Sequence, residues 1–303
     1  MPPRVACSEK VRAALEAGRA VVALESVVIA HGLPWPHNLE SALEVEAAVE
    51  AAGATPATIA VIDGELRAGL DRAALERLAR KAEPARKLTR RDLGLAVADR
   101  ALGATTVAAT MLIAHWAGVK VLATGGIGGV HRGDAGDVSA DLPELARTPV
   151  AVVCAGAKAI LDLPRTLEWL ETFGVPVLGY QTDTLPAFFV RSSGLPVQRR
   201  AESAAEAARL IRAHWALGFE SGALVAAPVP EDQAADPRRM DAAIAQALAE
   251  AGAAGVRGQA VTPFLLERVA ALTGGESVAA NRALLRHNAA VAAQIAAALA
   301  ALT

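Results

Sequence analysis

Apolar and polar positions along this chain follow two rhythms. Short unbroken apolar runs rich in valine, isoleucine and alanine recur at 20–24, 55–62, 120–123, 150–154, 175–180 and 222–227, and each has the length of a buried strand. Between them apolar residues return every third or fourth position, which predicts helices over 8–18, 39–52, 71–82, 93–101, 107–117, 166–173, 203–217, 238–251, 263–272 and 277–302. Local signals punctuate the pattern. Gly18 and Gly174 end helices, and Asn38, Thr89 or Asp92, and Thr262 are candidate caps. Asp63-Gly64 is a hairpin turn, so 65–70 runs antiparallel to 55–62. Segment 31–38, with two prolines and a glycine, reads as a rigid loop just beyond a strand. Residues 142–147 read as a short helical turn, and Gly156 as the turn into a helix that carries Lys158. Strands alternating with helices predict one α/β fold over 1–303, with helices on both faces of a mixed, mainly parallel sheet.

The composition narrows the class. Hydrophobic residues make up 53% and charged residues 20%, enough for a substantial core and against disorder. Thirty basic and 32 acidic side chains give a net charge of −2, and aromatics are only 3%. With no basic block and few stacking rings, nucleic acid is not an expected partner. Two cysteines, Cys7 and Cys154, build neither a disulfide framework nor a zinc site and suit a reducing cytoplasm. The alanine-rich run 289–302 holds Gln294 and is short for a membrane span, so it reads as a packed or interface helix.

Candidate chemistry concentrates between Gly125 and Lys158. Gly125-Gly126-Ile127-Gly128-Gly129-Val130-His131-Arg132-Gly133 is a glycine loop, yet neither a dinucleotide fingerprint nor a P-loop. His131 and Arg132 tip it toward an anionic ligand. Asp137-Val138-Ser139-Ala140-Asp141 matches the opening of an EF-hand loop, but Leu142 stands where glycine is required. One carboxylate with waters and a phosphorylated substrate suits Mg²⁺ or Mn²⁺; a turn capping 142–147 is the alternative. Lys158 ends an apolar run, where burial lowers an amine from its usual value of roughly 10.4 and makes it a nucleophile toward carbonyl carbon. On spacing alone the plainer reading is a lysine snorkelling from a helix start. Glu25, just after an apolar strand, is either a general acid with a raised pKa or a paired carboxylate. The free N–H groups at the start of helix 107–117 offer an anion site. Lys87 and the Arg90-Arg91 pair are phosphate ligands or solvated surface, and Asn281 lies on a polar helix face.

Taken together, these segments resemble one known family. The matching residues are Ala23-Leu24-Glu25-Ser26, His31-Gly32-Leu33-Pro34-Trp35-Pro36-His37-Asn38, Arg90-Arg91-Asp92, 124–133, Asp137-Val138-Ser139-Ala140-Asp141-Leu142, Arg147-Thr148-Pro149-Val150, Ala155-Gly156-Ala157-Lys158, 161–168, Leu185-Pro186-Ala187-Phe188, Thr262-Pro263-Phe264-Leu265-Leu266 and Asn281. They run in order over nearly the whole chain. The sequence is similar to the pseudouridine-5′-phosphate glycosidases, also called indigoidine-synthase-A-like proteins.

The resemblance implies reversible cleavage of the carbon–carbon glycosidic bond of pseudouridine 5′-phosphate to uracil and ribose 5-phosphate. It implies Lys158 as the nucleophile forming a Schiff base at C1′ and Glu25 as the proton donor that opens the sugar ring. It implies Asp137 as the ligand of a divalent metal, typically Mn²⁺. It also implies substrate contacts at Lys87, Val107, Ser139, Ala140 and Asp141, with Asn281, Thr124 and His131 at the site. A homotrimeric α/β/α sandwich in the cytoplasm is the implied assembly. The chain departs from the family pattern in Val27 for threonine, Trp35 for tyrosine, Cys154 for serine and a shorter loop between Arg132 and Asp137. None of these removes a catalytic group. Competing readings are another phosphosugar Schiff-base lyase or nucleoside glycosidase using the same lysine, or a non-catalytic phosphosugar-binding or scaffolding trimer.

Overall fold

A computed structural model describes residues 3–32, 34–133, 136–256 and 261–302, with the side chains of Thr262 and Pro263 left aside. The strands are β1 (Ala6–Cys7), β2 (Val21–Leu24), β3 (Thr55–Ile62), β4 (Glu65–Ala68), β5 (Arg86–Leu88), β6 (Gly103–Thr105) and β7 (Val121–Ala123). They continue with β8 (Val130–His131), β9 (Ala151–Cys154), β10 (Leu161–Asp162), β11 (Val177–Tyr180), β12 (Arg199–Ala201) and β13 (Ala223–Ala226). The helices are α1 (Glu9–Glu16), α2 (Val27–His31), α3 (His37–Ala51), α4 (Arg72–Arg80), α5 (Leu93–Ala98) and α6 (Val107–Ala117). After them come α7 (Asp141–Leu145), α8 (Leu163–Thr172), α9 (Ala204–Ala216), α10 (Pro237–Ala253), α11 (Val261–Leu272) and α12 (Glu276–Ala300).

The main sheet runs β1-β4-β3-β2-β7-β9-β13-β11-β12, with β6 on β3 and β5 on β6. From β3 to β12 along this path every neighbouring pair is parallel. The antiparallel pairs are β3 with β4 and β3 with β6, which makes the sheet mixed as expected. The β3–β4 hairpin turns at Asp63 and Gly64, both at positive φ.

Strand alternation explains the layers. Val22, Leu24, Val121, Ala123, Ala151, Val153, Ala223 and Val225 point to one face and pack with α9 and the second half of α12. Val21, Ala23, Leu122, Val152, Cys154, Leu224 and Ala226 point to the other, toward α1, α6 and α10. The α12 helix is long and apolar enough to span a membrane by length and composition, but most of it is buried here against β2, β7 and β9.

Four local expectations are corrected. Segment 31–38 is not all loop: α2 ends on His31 and α3 begins at His37, while Leu33 lies outside the described residues. Asn38 does not cap α3; it sits inside the first turn and donates to the carbonyls of Ile29 (2.8 Å) and Ala79 (2.8 Å). Lys158 is not on a helix. It lies in the turn between β9 and β10, and α8 starts only at Leu163. The apolar runs also leave out Gly103–Thr105, which forms the short strand β6. The Thr262 cap lies outside the described side chains.

Candidate active site

The parallel strands deliver their carboxyl ends to one edge of the sheet, where ligands of open α/β folds bind. Glu25 directly follows β2 and Thr124 directly follows β7, so parallel pairing sets them side by side. The Thr124 hydroxyl donates to Glu25 Oε1. Glu25 Oε2 is buried and has no partner. Burial pushes the Glu25 carboxyl above its ordinary value; Asp141 adds to this, while Lys158, the Thr124 hydrogen bond and Lys87 oppose it. A carboxyl pushed upward by burial, with one oxygen unpartnered, has the features of a general acid.

The glycine loop and the segment after β9 lie along each other beyond the sheet. Ala155 N–H donates to Gly125 O (2.9 Å), Ile127 N–H to Gly156 O (3.1 Å) and Lys158 N–H to Ile127 O (3.1 Å). This places the half-buried Lys158 where its charge acts on Glu25. Gly156 has φ 82°, and a Cβ there would come within 2.4 Å of Pro186 O, so the turn requires glycine. Arg132, expected to attract an anion, instead braces the lysine turn. Its Nε and Nη2 donate to Leu161 O (3.1 Å) and Ala159 O (3.2 Å).

Asp141 fastens two more segments. Its Oδ1 accepts from Ala108 N–H (2.9 Å) and its Oδ2 from Gly128 N–H (2.8 Å). The anion expected at the start of α6, beside Val107, is thus partly supplied by the protein itself. Ser139 and Ala140 pass close by: a Cβ on Gly128 would meet Ser139 Oγ at 2.1 Å. Lys87, on β5, joins the same charge cluster. Burial lowers its amine and Lys158 lowers it further, against Asp141 and Glu25. Arg90 is no phosphate ligand here, since it is bound bidentately to the buried Glu144 (2.7 and 2.6 Å). Arg91 is 80% exposed beside Asp92.

His131 and Asp137 form a separate rim. Asp137 Oδ2 lies 3.7 Å from His131 Nδ1, and its side chain is 45% exposed. Among the described residues no three histidine, cysteine or acidic side chains converge as a metal cage. One carboxylate beside an imidazole fits a hydrated divalent ion that keeps several waters, not a closed site.

The α12 helix covers this edge. Asn281 is half-buried against Gly125: its Oδ1 is 3.5 Å from where a Gly125 Cβ would stand. Asn288, two turns on, is wholly buried and was not anticipated. The signal was present as an asparagine seven residues after Asn281, on the same helix face.

A buried acid, two amines and a clamped carboxylate at the carboxyl edge of a parallel sheet define an α/β enzyme acting on a small polar substrate. Residues 10–298 match the family model described as indigoidine synthase A like protein. The chain is 58% identical over 292 residues, 96% of each chain, to a Herpetosiphon aurantiacus pseudouridine-5′-phosphate glycosidase. It is 52% identical to the Escherichia coli K12 protein of that name, covering 97% of this chain and 95% of the other. It superposes on the prealnumycin C-glycosynthase AlnA in complex with ribulose 5-phosphate with a TM-score of 0.91, at 43% identity and 99% coverage of both chains. The chain belongs to the indigoidine synthase A like family.

Proposed function

We propose that this enzyme cleaves the C1′–C5 bond of pseudouridine 5′-phosphate, giving uracil and ribose 5-phosphate with uptake of one water, and that it also runs in reverse. The observation that carries the reading is the buried Glu25 acid facing the Lys158 and Lys87 amines, in a chain so similar to named glycosidases. A carbon-linked base has no heteroatom to protonate as it leaves, so the sugar must become the electron sink. In the proposed sequence the Lys158 amine attacks C1′, the C1′–O4′ bond breaks, and the proton of Glu25 goes to O4′. The ammonium so formed returns a proton to the Glu25 carboxylate, its lone pair then forms the C1′ imine as the C1′–C5 bond breaks, and that proton goes to uracil C5. Water hydrolyses the imine, releasing ribose 5-phosphate and free lysine.

Lys87, Val107, Ser139, Ala140, Asp141, Thr124, His131 and Asn281 are assigned to substrate. Asp137, with His131 beside it, is assigned one Mn²⁺, which would supply positive charge near the phosphosugar. The two free cysteines, Cys7 and Cys154, suit the cytoplasm. A homotrimer is the proposed assembly, and light scattering checks it.

The test is borohydride trapping with ribose 5-phosphate, followed by peptide mapping. One sugar adduct on Lys158, absent in Lys158→Ala, supports the reading. The depressed amine of Lys87 favours a second reading in which Lys87 is the nucleophile, and an adduct mapped there would establish it instead. No adduct on either lysine, where a known Schiff-base enzyme is trapped, defeats both.

A further inference from the structure

We propose that Asn288 is a positioning residue that holds Thr124 in place so that Thr124 orients the acid Glu25. This deepens the function proposed above and rests on it.

The side chain of Asn288 is 0% exposed, on a stretch of α12 otherwise lined by Leu284, Leu285, Ala289, Val291 and Ala292. Its Nδ2 donates to Thr124 O at 2.8 Å and to Gly125 O at 3.3 Å. Its Oδ1 is buried with no partner. A buried amide with an unmatched oxygen is a poor choice for stability, and an apolar side chain would suit the helix better. The two donations are what it contributes.

They fall where the sheet ends. Beyond β7 the chain stays tied to the segment after β9 by Thr124 N–H to Val153 O (3.0 Å) and by Ala155 N–H to Gly125 O (2.9 Å), so Thr124 O is the carbonyl at which Asn288 acts without a backbone donor beside it, and Gly125 O receives the amide as a second donor. Backbone N–H groups within a helix are already committed to the helix, so only a side chain of α12 can reach these carbonyls. A primary amide offers two N–H groups on one nitrogen, one for each carbonyl. Asn281 leans on Gly125 from two turns earlier, so one face of α12 governs the hinge of the glycine loop.

The consequence reaches the acid through one residue. With the Thr124 backbone held, its hydroxyl donates to Glu25 Oε1. An oxygen accepting that bond leaves the acidic proton on Oε2, the unpartnered oxygen. Asn288 therefore controls which oxygen of Glu25 carries the transferable proton. The charged groups acting on Glu25 are Lys158 from the turn after β9, Lys87 from β5 and Asp141 from α7. None of them touches Asn288 in the hydrogen bonds described.

The test compares wild type, Asn288→Leu, Asn288→Asp, Thr124→Val and the Asn288→Leu/Thr124→Val double variant. Carbon NMR follows the Glu25 carboxyl titration in the ligand-free proteins, assigned by its loss in Glu25→Gln. The Thr124 bond favours the carboxylate, so its loss moves the Glu25 midpoint upward in Asn288→Leu and Thr124→Val alike. In uracil release from pseudouridine 5′-phosphate, kcat falls about 10- to 100-fold from misplacement of the acid. KM stays within about threefold, and the alkaline limb of kcat moves to higher pH with the NMR midpoint. The double variant is no worse than Thr124→Val alone, because the two residues act in series. Asn288→Asp keeps the shape but cannot donate to both carbonyls, and it gives the same upward shift if the leucine variant fails to fold. An unchanged Glu25 midpoint and kcat in both Asn288 variants, or full additivity in the double variant, overturns the proposal. Absence of uracil release by the wild type overturns the functional reading instead, while the NMR titration still decides the role of Asn288.

Discussion

Among the described residues two glutamates are buried, and their surroundings treat them oppositely. Glu144, on α7, is wholly buried and receives two N–H groups from Arg90, one from Arg147 (3.2 Å) and the Thr148 hydroxyl. Burial pushes its carboxyl up, but the bonds from Arg90 and Thr148 and the charges of Arg90 and Arg147 outweigh burial and hold it below the ordinary value. Glu25 has one hydroxyl partner and an oxygen with none, and burial wins. Burial by itself therefore does not set the direction in which a carboxyl shifts. Glu144 is given a full set of donors; Glu25 is left one oxygen short. The two also cooperate, because the Arg90–Glu144 pair ties the segment after β5, which carries Lys87, to the helix that begins with Asp141.

The largest effect that can break this contrast is catalytic. Glu25→Gln should lower uracil release by about 10²- to 10⁴-fold, the range for loss of a general acid, while a binding isotherm for ribose 5-phosphate stays nearly in place. Glu144→Gln should lose far less turnover, and equal losses would show that the two sites are not functionally distinct.

Next comes stability. Arg90→Met strands a buried carboxylate and should cost about 2–3 kcal/mol in urea unfolding, less than for a fully buried pair because Arg90 is 38% exposed. A smaller effect comes from pH, with opposite signs for the two residues. Glu144 has a depressed pKa, so its contribution is complete above the unfolded value near 4.5 and is lost as pH falls through the folded one. Glu25 has a raised pKa, so the native state holds its proton more tightly and stability declines as pH rises from near 4.5 through the folded value. Melting curves at pH 4.5 and 8 should show Glu25→Gln gaining on wild type at the higher pH and Glu144→Gln losing most there.

The smallest effect concerns Cys154, buried at the end of β9 beside this cluster. Burial pushes its thiol up to about 12, against hydrogen bonds from the backbone of Gly156 and Ile127. Iodoacetamide at neutral pH should modify Cys7 first and leave Cys154 intact until the protein unfolds, as mass mapping will show.

Much of this was legible in the sequence, and the exceptions have physical causes. The apolar runs at 55–62 and 150–154 announced strands because a doubly covered sheet needs apolar residues on both faces. Asp63-Gly64 announced the antiparallel hairpin because that turn needs positive φ. Local spacing predicts a helix at Lys158 because Gly156 does start a turn, but the chain from there pairs with Gly125 and Ile127 of the glycine loop, a distant partner that local spacing does not reveal. Arg90 reads as a phosphate ligand or solvated surface, and Arg132 as a pointer to an anionic ligand, because a guanidinium looks the same in sequence whether it meets a ligand, Glu144 or a carbonyl.

Local chemistry along the chain determined the elements, their layers and the set of reactive side chains, since apolar period, turn residues and functional-group identity are properties of short segments. The tertiary structure alone decided the pairing of those groups and the direction in which each carboxyl shifts. Whether Glu25 is pushed up and Glu144 is held down by its ion pairs depends on burial and on donors distant in sequence, and these exist only once β2, β7, α7 and α12 are brought together.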